Sequence, residues 1–171
     1  MALNSAPILI PNGTILVEDG GALAATMIYE DGDFNIAGLA EGDYDVEGFK
    51  DRGDFYAYRQ TDQKTYSLSF SCHATHIADA SETQALMDVM LKENAWSGGT
   101  SVVTTGSDVW AVKVTYTADT SGATGGAAGQ TIVVNAFIPQ DVSFTEGNPA
   151  KFSVSGICVP FGGTKAVTRT P

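Results

Sequence analysis

The stretch Tyr66-Ser67-Leu68-Ser69-Phe70-Ser71-Cys72-His73-Ala74 alternates without a break. On an extended backbone successive side chains point to opposite faces. Tyr66, Leu68, Phe70, Cys72 and Ala74 therefore share one face, and Ser67, Ser69, Ser71 and His73 share the other. A strand with one apolar and one hydroxyl face belongs to an antiparallel sheet that covers a core on one side only. The segment 108–117 repeats the theme, with Trp110, Val112, Val114 and Tyr116 opposite Lys113, Thr115 and Thr117. The segments 131–138 and 152–159 add two further strands of the same kind.

Between these strands the turns are marked by Gly and Asp. Segments 24–30 and 34–39 flank Asp31-Gly32-Asp33, and segments 44–49 and 55–58 flank Lys50-Asp51-Arg52-Gly53, which predicts two hairpins. One segment leaves the period of two. Ser81-Glu82-Thr83-Gln84 has the capping-box pattern, and Leu86, Val89, Met90 and Glu93 follow at helical spacing, predicting one amphipathic helix over 81–94. Its apolar stripe, widened by Met87 and Leu91, needs a sheet to cover. The expected fold is mainly β: an antiparallel β-sandwich or barrel with one flanking helix. It is read as a single domain, with arms at 1–20 and 161–171 around a core at 21–160, and with a Gly-rich loop tip at 119–129.

Composition narrows the function. Twenty acids against nine Lys and Arg give a formal net charge of −11 over 171 residues, which opposes tight binding to nucleic acid or an anionic membrane. Residues 1–60 hold eleven of the acids and three of the bases. The N-terminus has no basic n-region, and nowhere do enough apolar residues run together to span a bilayer, so neither a signal peptide nor a membrane span is expected. Two cysteines, Cys72 and Cys158, are too few for a disulfide framework, and both sit in strand-like segments where Cys behaves as a small hydrophobe, so two free buried thiols are expected ahead of the alternative of a single bridge.

Familiar chemical patterns fail when placed on faces. Cys72, His73 and His76 have metal-like spacing, but His73 faces away from the other two on a strand. Asp31, Asp33 and Asn35 begin like a calcium loop, yet Ile36 stands where the Gly is required and Gly42 where the closing Glu is required. Arg52-Gly53-Asp54 matches a cell-adhesion tripeptide but falls where a turn is already expected. The Gly-rich stretch 122–129 lacks the Gly-Lys-Ser/Thr of a phosphate loop, and no nucleophile elbow accompanies the two histidines. The expectation is a structural protein with no catalytic residue, metal or cofactor. Asp43, Asp45 and Glu47 alternate with Tyr44 and Val46, putting three carboxylates on one strand face. Such a row is a solvated or guarded edge, or a surface kept repellent to a polyanion.

The run Phe49-Lys50-Asp51-Arg52-Gly53-Asp54, the strand from Thr65 to Ser71 and the helix after it resemble the middle of bacteriophage major tail tube proteins. The stretch from Ala136 to Gly156, in which Glu146-Gly147-Asn148-Pro149 precedes an alternating strand and a Gly, is similar to that family's closing strands. The resemblance covers roughly residues 45–160. It implies hexameric rings stacked head to tail around a bore through which genomic DNA passes at ejection. It also implies a place in the virion tail after assembly in the host cytoplasm. The partners would be other copies of the chain, a tape measure protein, a tail terminator and tail tip or baseplate proteins. On this reading Asp43, Asp45 and Glu47 line the lumen, while Arg52, Asp54, Gly125 and Gly126 serve contacts between subunits and rings. The alternative from another class is a capsid or tail decoration protein, or a glycan-binding β-sandwich module.

Overall fold

The computed structural model describes residues 12–30, 33–39, 44–51, 54–78, 83–104, 109–119 and 129–170. Its strands are β1 (Asn12–Glu18), β2 (Ala24–Glu30), β3 (Asn35–Ala37), β4 (Tyr44–Asp51), β5 (Asp54–Gln63), β6 (Tyr66–His73), β7 (Val112–Ala118), β8 (Thr131–Thr145), β9 (Lys151–Cys158) and β10 (Val167–Thr170). One short helix, α1 (Leu86–Leu91), is followed by a 3-10 turn at Asn94–Trp96. The fold is mainly β with a flanking helix, as the alternating sequence demands.

All pairing is antiparallel. The main sheet runs β2-β1-β7-β8-β9-β6-β3, and β10 pairs with the start of β8. This sheet curls until β2 packs against β6. The space inside is filled by Ile15 and Val17 from β1, Met27 from β2, Leu68 and Phe70 from β6, Val112 and Val114 from β7, Phe137 from β8 and Phe152 from β9, none more than 3% exposed. Alternation sets this in every strand. The burial of β7 follows the sequence residue by residue, with Val112, Val114, Tyr116 and Ala118 buried and the residues between them half-exposed.

Three sequence expectations need correcting. Residues 12–18 are not arm: Gly13-Thr14-Ile15-Leu16-Val17 is a short alternating strand that pairs with both β2 and β7, and Ile15 and Val17 are fully buried. Likewise 167–170 forms β10 on the edge of β8, with Ala166 buried beside it. Residues 1–11 and 171 lie outside the described residues. Second, β2 and β3 do not form a hairpin; β2 pairs with β1, and β3 pairs with β6. The longer β1 offers β2 seven paired positions where β3 has only three residues to give.

The third correction concerns the helix, which spans six residues and starts at Leu86. Ser81 and Glu82 lie outside the described residues. Thr83 and Gln84 do not cap it; Thr83 Oγ1 donates to the Ala24 carbonyl at 2.9 Å, and Gln84 Oε1 accepts from the Thr26 amide at 3.1 Å. The would-be cap is used to fasten the segment to the edge of β2. At the other end Lys92 adopts a left-handed conformation (φ 57°), and the Glu93 amide returns to the Asp88 carbonyl at 3.0 Å, a helix-ending arrangement. Asn94 Nδ2 donates to Asp88 Oδ1 at 2.7 Å and holds that turn. Two tryptophans then lock the helix down: Trp96 Nε1 donates to the Thr83 carbonyl at 3.0 Å and Trp110 Nε1 to the Val89 carbonyl at 2.8 Å.

Candidate assembly surfaces

The polar face of β6 is continued across its neighbours. The register aligns Ser71 with Ser153 and Ser153 with Ser143 in one row, and Asn35, Ser69, Ser155 and Asp141 in the next. Short hydroxyls from three strands thus form a shallow surface of about 290 Å³, bordered by Asp33 and Asp141. Ser71 Oγ donates to the Asp33 carboxylate and is itself buried. These two rows carry no Lys or Arg. Sequence reading found the β6 contribution but not the rows, because cross-strand alignment depends on pairings hundreds of bonds apart along the chain.

The sheet that presents these rows has open edges. Beyond β3 no described strand pairs, and β7 leaves β8 at Phe137, so the side of β8 that faces away from β9 is unpaired from Ile138 to Thr145 among the described strands. An exposed row of amides and carbonyls is a template for another strand.

The strands β4 and β5 form a separate two-stranded sheet. This predicted hairpin is present, with irregular register near Asp45 and near Phe49. Its described side chains on β4 are exposed, including Tyr44 (43%), Val46 (60%) and Phe49 (42%). Glu47 accepts from Arg59 across the pair at 2.8 Å, and the same guanidinium lies 5.4 Å from the Phe49 ring centre. Gln63 Nε2 reaches the Pro160 carbonyl at 3.4 Å where the hairpin leaves the main sheet.

Comparison with solved structures gives matches along nearly the whole chain. A cryo-EM structure described as the sheath-tube complex of an extracellular contractile injection system (PVC) in the extended state superposes with a TM-score of 0.56 at 12% identity, covering 98% of this chain and 93% of that one. The sheath/tube terminator of the same system gives 0.52 at 11%, covering 98% and 99%. The tube-terminating cap of the anti-feeding prophage gives 0.53 at 11%, covering 99% of each. This chain shares their fold. No family model and no curated protein matches the sequence.

On that shared fold the sequence-predicted residues take these places. Asp45 and Glu47 lie on β4 of the separate hairpin, and Asp54 opens β5. Asp43, Arg52, Gly125 and Gly126 lie outside the described residues. Cys72 and Cys158 are free, and burial pushes both thiols up to about 12 from 9.0. Cys72 points into the core while His73 occupies the opposite face of β6, so the metal-like spacing does not converge. Of the calcium-like run, Asp33 is engaged by Ser71 and Asn35 pairs within the sheet. No described helix is long and apolar enough to cross a membrane.

One carboxylate that sequence reading passed over organises a loop. Asp19, 8% exposed, accepts from the amides of Gly21, Leu23 and Thr100, each at 2.9 Å. It ties the β1–β2 turn to the segment before β7. Its only sequence signal was the Glu-Asp-Gly-Gly run, which reads equally as an ordinary turn.

Proposed function

We propose that this chain is a non-enzymatic structural subunit of a phage-type tail tube, assembling into rings that stack around a bore. The observation that carries it is the layer β3-β6-β9-β8, open at both lateral edges and faced with two serine rows that hold no Lys or Arg, with Lys151 in the row beyond them on the same face. Pairing the β8 edge of one copy with the β3 edge of the next joins two different surfaces, and such heterologous contacts give a ring where the rotation between copies closes. A closed ring also removes the edge liability. The full-length likeness to injection-system structures supports this assignment, and the sixfold symmetry given for the anti-feeding prophage baseplate supports rings of six.

A duplex carries about one negative charge per 1.7 Å and is held wherever Lys and Arg displace its counterions. The serine rows with Asp33 and Asp141 offer it neither charge attraction nor long side chains, which suits the passage of genomic DNA. The acidic strand at Asp43, Asp45 and Glu47 is the rival lining, and the two can be told apart. Ser155→Lys with Asp141→Lys should slow DNA ejection from assembled particles if the serine rows face the bore; reversing Asp43, Asp45 and Glu47 to Lys should do so if the hairpin does. The remaining partners follow from the reading: a tape measure protein within the tube, and a terminator and a tip or baseplate at its ends, in the virion tail.

Negative-stain imaging of concentrated purified protein tests the reading directly. Hollow cylinders of uniform width are expected. Compact dispersed particles would overturn it in favour of a decoration or binding module.

A further inference from the structure

The strands β9 and β10 are two halves of one interrupted strand along β8. Cys158 pairs with Phe137 and Val167 with Val134. Between them the Val159 amide donates to the Ala136 carbonyl at 3.0 Å and the Asn135 amide to the Ala166 carbonyl at 2.9 Å. Residues 160–165 leave this line as a small turn of their own, closed by the pairing of Phe161 with Thr164 and helped by Gly162 and Gly163 at positive φ. On the other side of β9 lies β6, whose pairing ends with Tyr66 opposite Cys158. Only Lys64 and Thr65 separate β6 from β5. Continued past Tyr66, the lane of β6 runs beside β10, and β5 is the strand that would fill it.

That lane is empty. Among the described strands β10 pairs with β8 alone and β5 with β4 alone, and a groove of about 590 Å³ borders all four residues of β10. The free edge of β5 is the matching one. Ala37 pairs with Ser67 on β6 and Tyr44 with Gln63 on β5, so β4 follows β3 along one side of the β5–β6 arm, and the opposite side is the one that carries β9. The bond from Gln63 Nε2 to the Pro160 carbonyl marks the elbow where the hairpin turns out of the sheet.

We propose that the β4–β5 hairpin has a second position on its own chain, reached by turning at Lys64-Thr65, in which the free edge of β5 pairs with β10. The register follows by counting outward from Tyr66 and Cys158. Thr65 meets Val159, and once the turn at 160–165 is stepped over, Lys64 meets Ala166, Gln63 meets Val167 and Asp62 meets Thr168. A two-stranded hairpin is marginal in water and gains from a third strand, and an open edge strand invites a foreign one. Stowing the hairpin answers both in the unassembled chain, and it withholds hairpin and β10 edge from other copies. The stowed position is a property of one chain; its inhibitory effect rests on the assembly reading above.

The test locks it. Directly opposite residues of an antiparallel pair stand about 4.5–5.5 Å apart at Cα, within the roughly 4.4–6.8 Å that a disulfide spans. Full-length chain carrying Asp62→Cys and Thr168→Cys, oxidised as a dilute monomer, should form an intramolecular disulfide, seen as faster migration on a non-reducing gel and as one linked peptide pair joining positions 62 and 168. The native Cys72 and Cys158 are buried and stay reduced. Asp62→Cys with Thr145→Cys, at the far end of β8, is the control and should not link. The locked chain should lose assembly into cylinders and regain it on reduction. Far-UV circular dichroism and the melting temperature establish that each variant folds. No intramolecular link, or one as frequent in the control, overturns the proposal. So does a link from position 62 of one chain to 168 of another, which means that a second copy fills the lane, and so does a locked chain that assembles as well as the reduced one. If the link forms but neither the reduced nor the unsubstituted chain ever builds cylinders, the stowed position stands and the assembly reading falls.

Discussion

At the scale of single residues, backbone packing makes the firmest demands. Gly156 sits where β9 crosses β8, and a Cβ there would overlap the Ile138 carbonyl oxygen and stand 2.8 Å from the Phe137 ring. Both neighbours belong to the sheet, so neither can move cheaply. Gly156→Ala should cost about 1–3 kcal/mol in chemical denaturation, whereas Gly98→Ala, with nothing within 4 Å of the new methyl, should change little. Asp19→Ala leaves three amides without their acceptor; hydrogen bonds to a charged group are each worth roughly 1.5–3 kcal/mol, but water can take over at the exposed Gly21 and Thr100, so the cost should be about 2–4 kcal/mol. The buried thiols add a pH dependence. Both are protonated in the folded chain up to about 12 but only to 9.0 when exposed. Their contribution is present in full below pH 9 and is lost as pH rises through the folded value. A thiol reagent at pH 8 should label neither cysteine in the native chain and both in denaturant; rapid native labelling would contradict the burial.

At the scale of elements, the hairpin of β4 and β5 is the part whose loss the fold should tolerate. Replacing 45–62 by a short Gly-Ser linker should leave the melting temperature within a few degrees while abolishing assembly. Early melting of the shortened monomer would show that the hairpin supports the core. Its Arg59–Glu47 ion pair adds little to stability, since exposed pairs contribute about 0–1 kcal/mol. The hairpin was legible in the sequence, as were β6, β7, β8 and β9, because their patterns are local: alternation, a Gly-Asp turn, a face of serines. The strands β2 and β3 were legible too, β2 at its observed bounds, but their partners, together with β1, β10 and the helix start, were misread for non-local reasons. β1 was assigned to an arm because seven residues near a terminus look short until their two neighbours are known. Thr83 and Gln84 read as a cap because their actual acceptor and donor are on β2, 59 and 58 residues away. Site residues show the same division. The acids of β4 stand out along the chain, while the serine rows exist only through register.

At the scale of the whole molecule, surface charge and open edges act together. Assembly of an acidic chain works against its own repulsion, so cylinders should form more readily as salt screens it; the Debye length falls from roughly 30 Å at 0.01 M to about 10 Å at 0.1 M. Sedimentation of assembled material across that range checks this. If assembly instead weakens with salt throughout, attractive charge contacts between copies outweigh the repulsion.

The position of β9 has a consequence for synthesis of the chain. It is the strand that joins β6 and β3 on one side to β8 and β7 on the other, and at residues 151–158 it is synthesised after all four of them. Until those residues have left the ribosome, the two halves of the sheet have no shared member and the layer with its two matching edges does not exist. Polysomes that carry many unfinished copies side by side therefore hold chains unable to present that layer, and truncated products lacking β9 cannot present it at all.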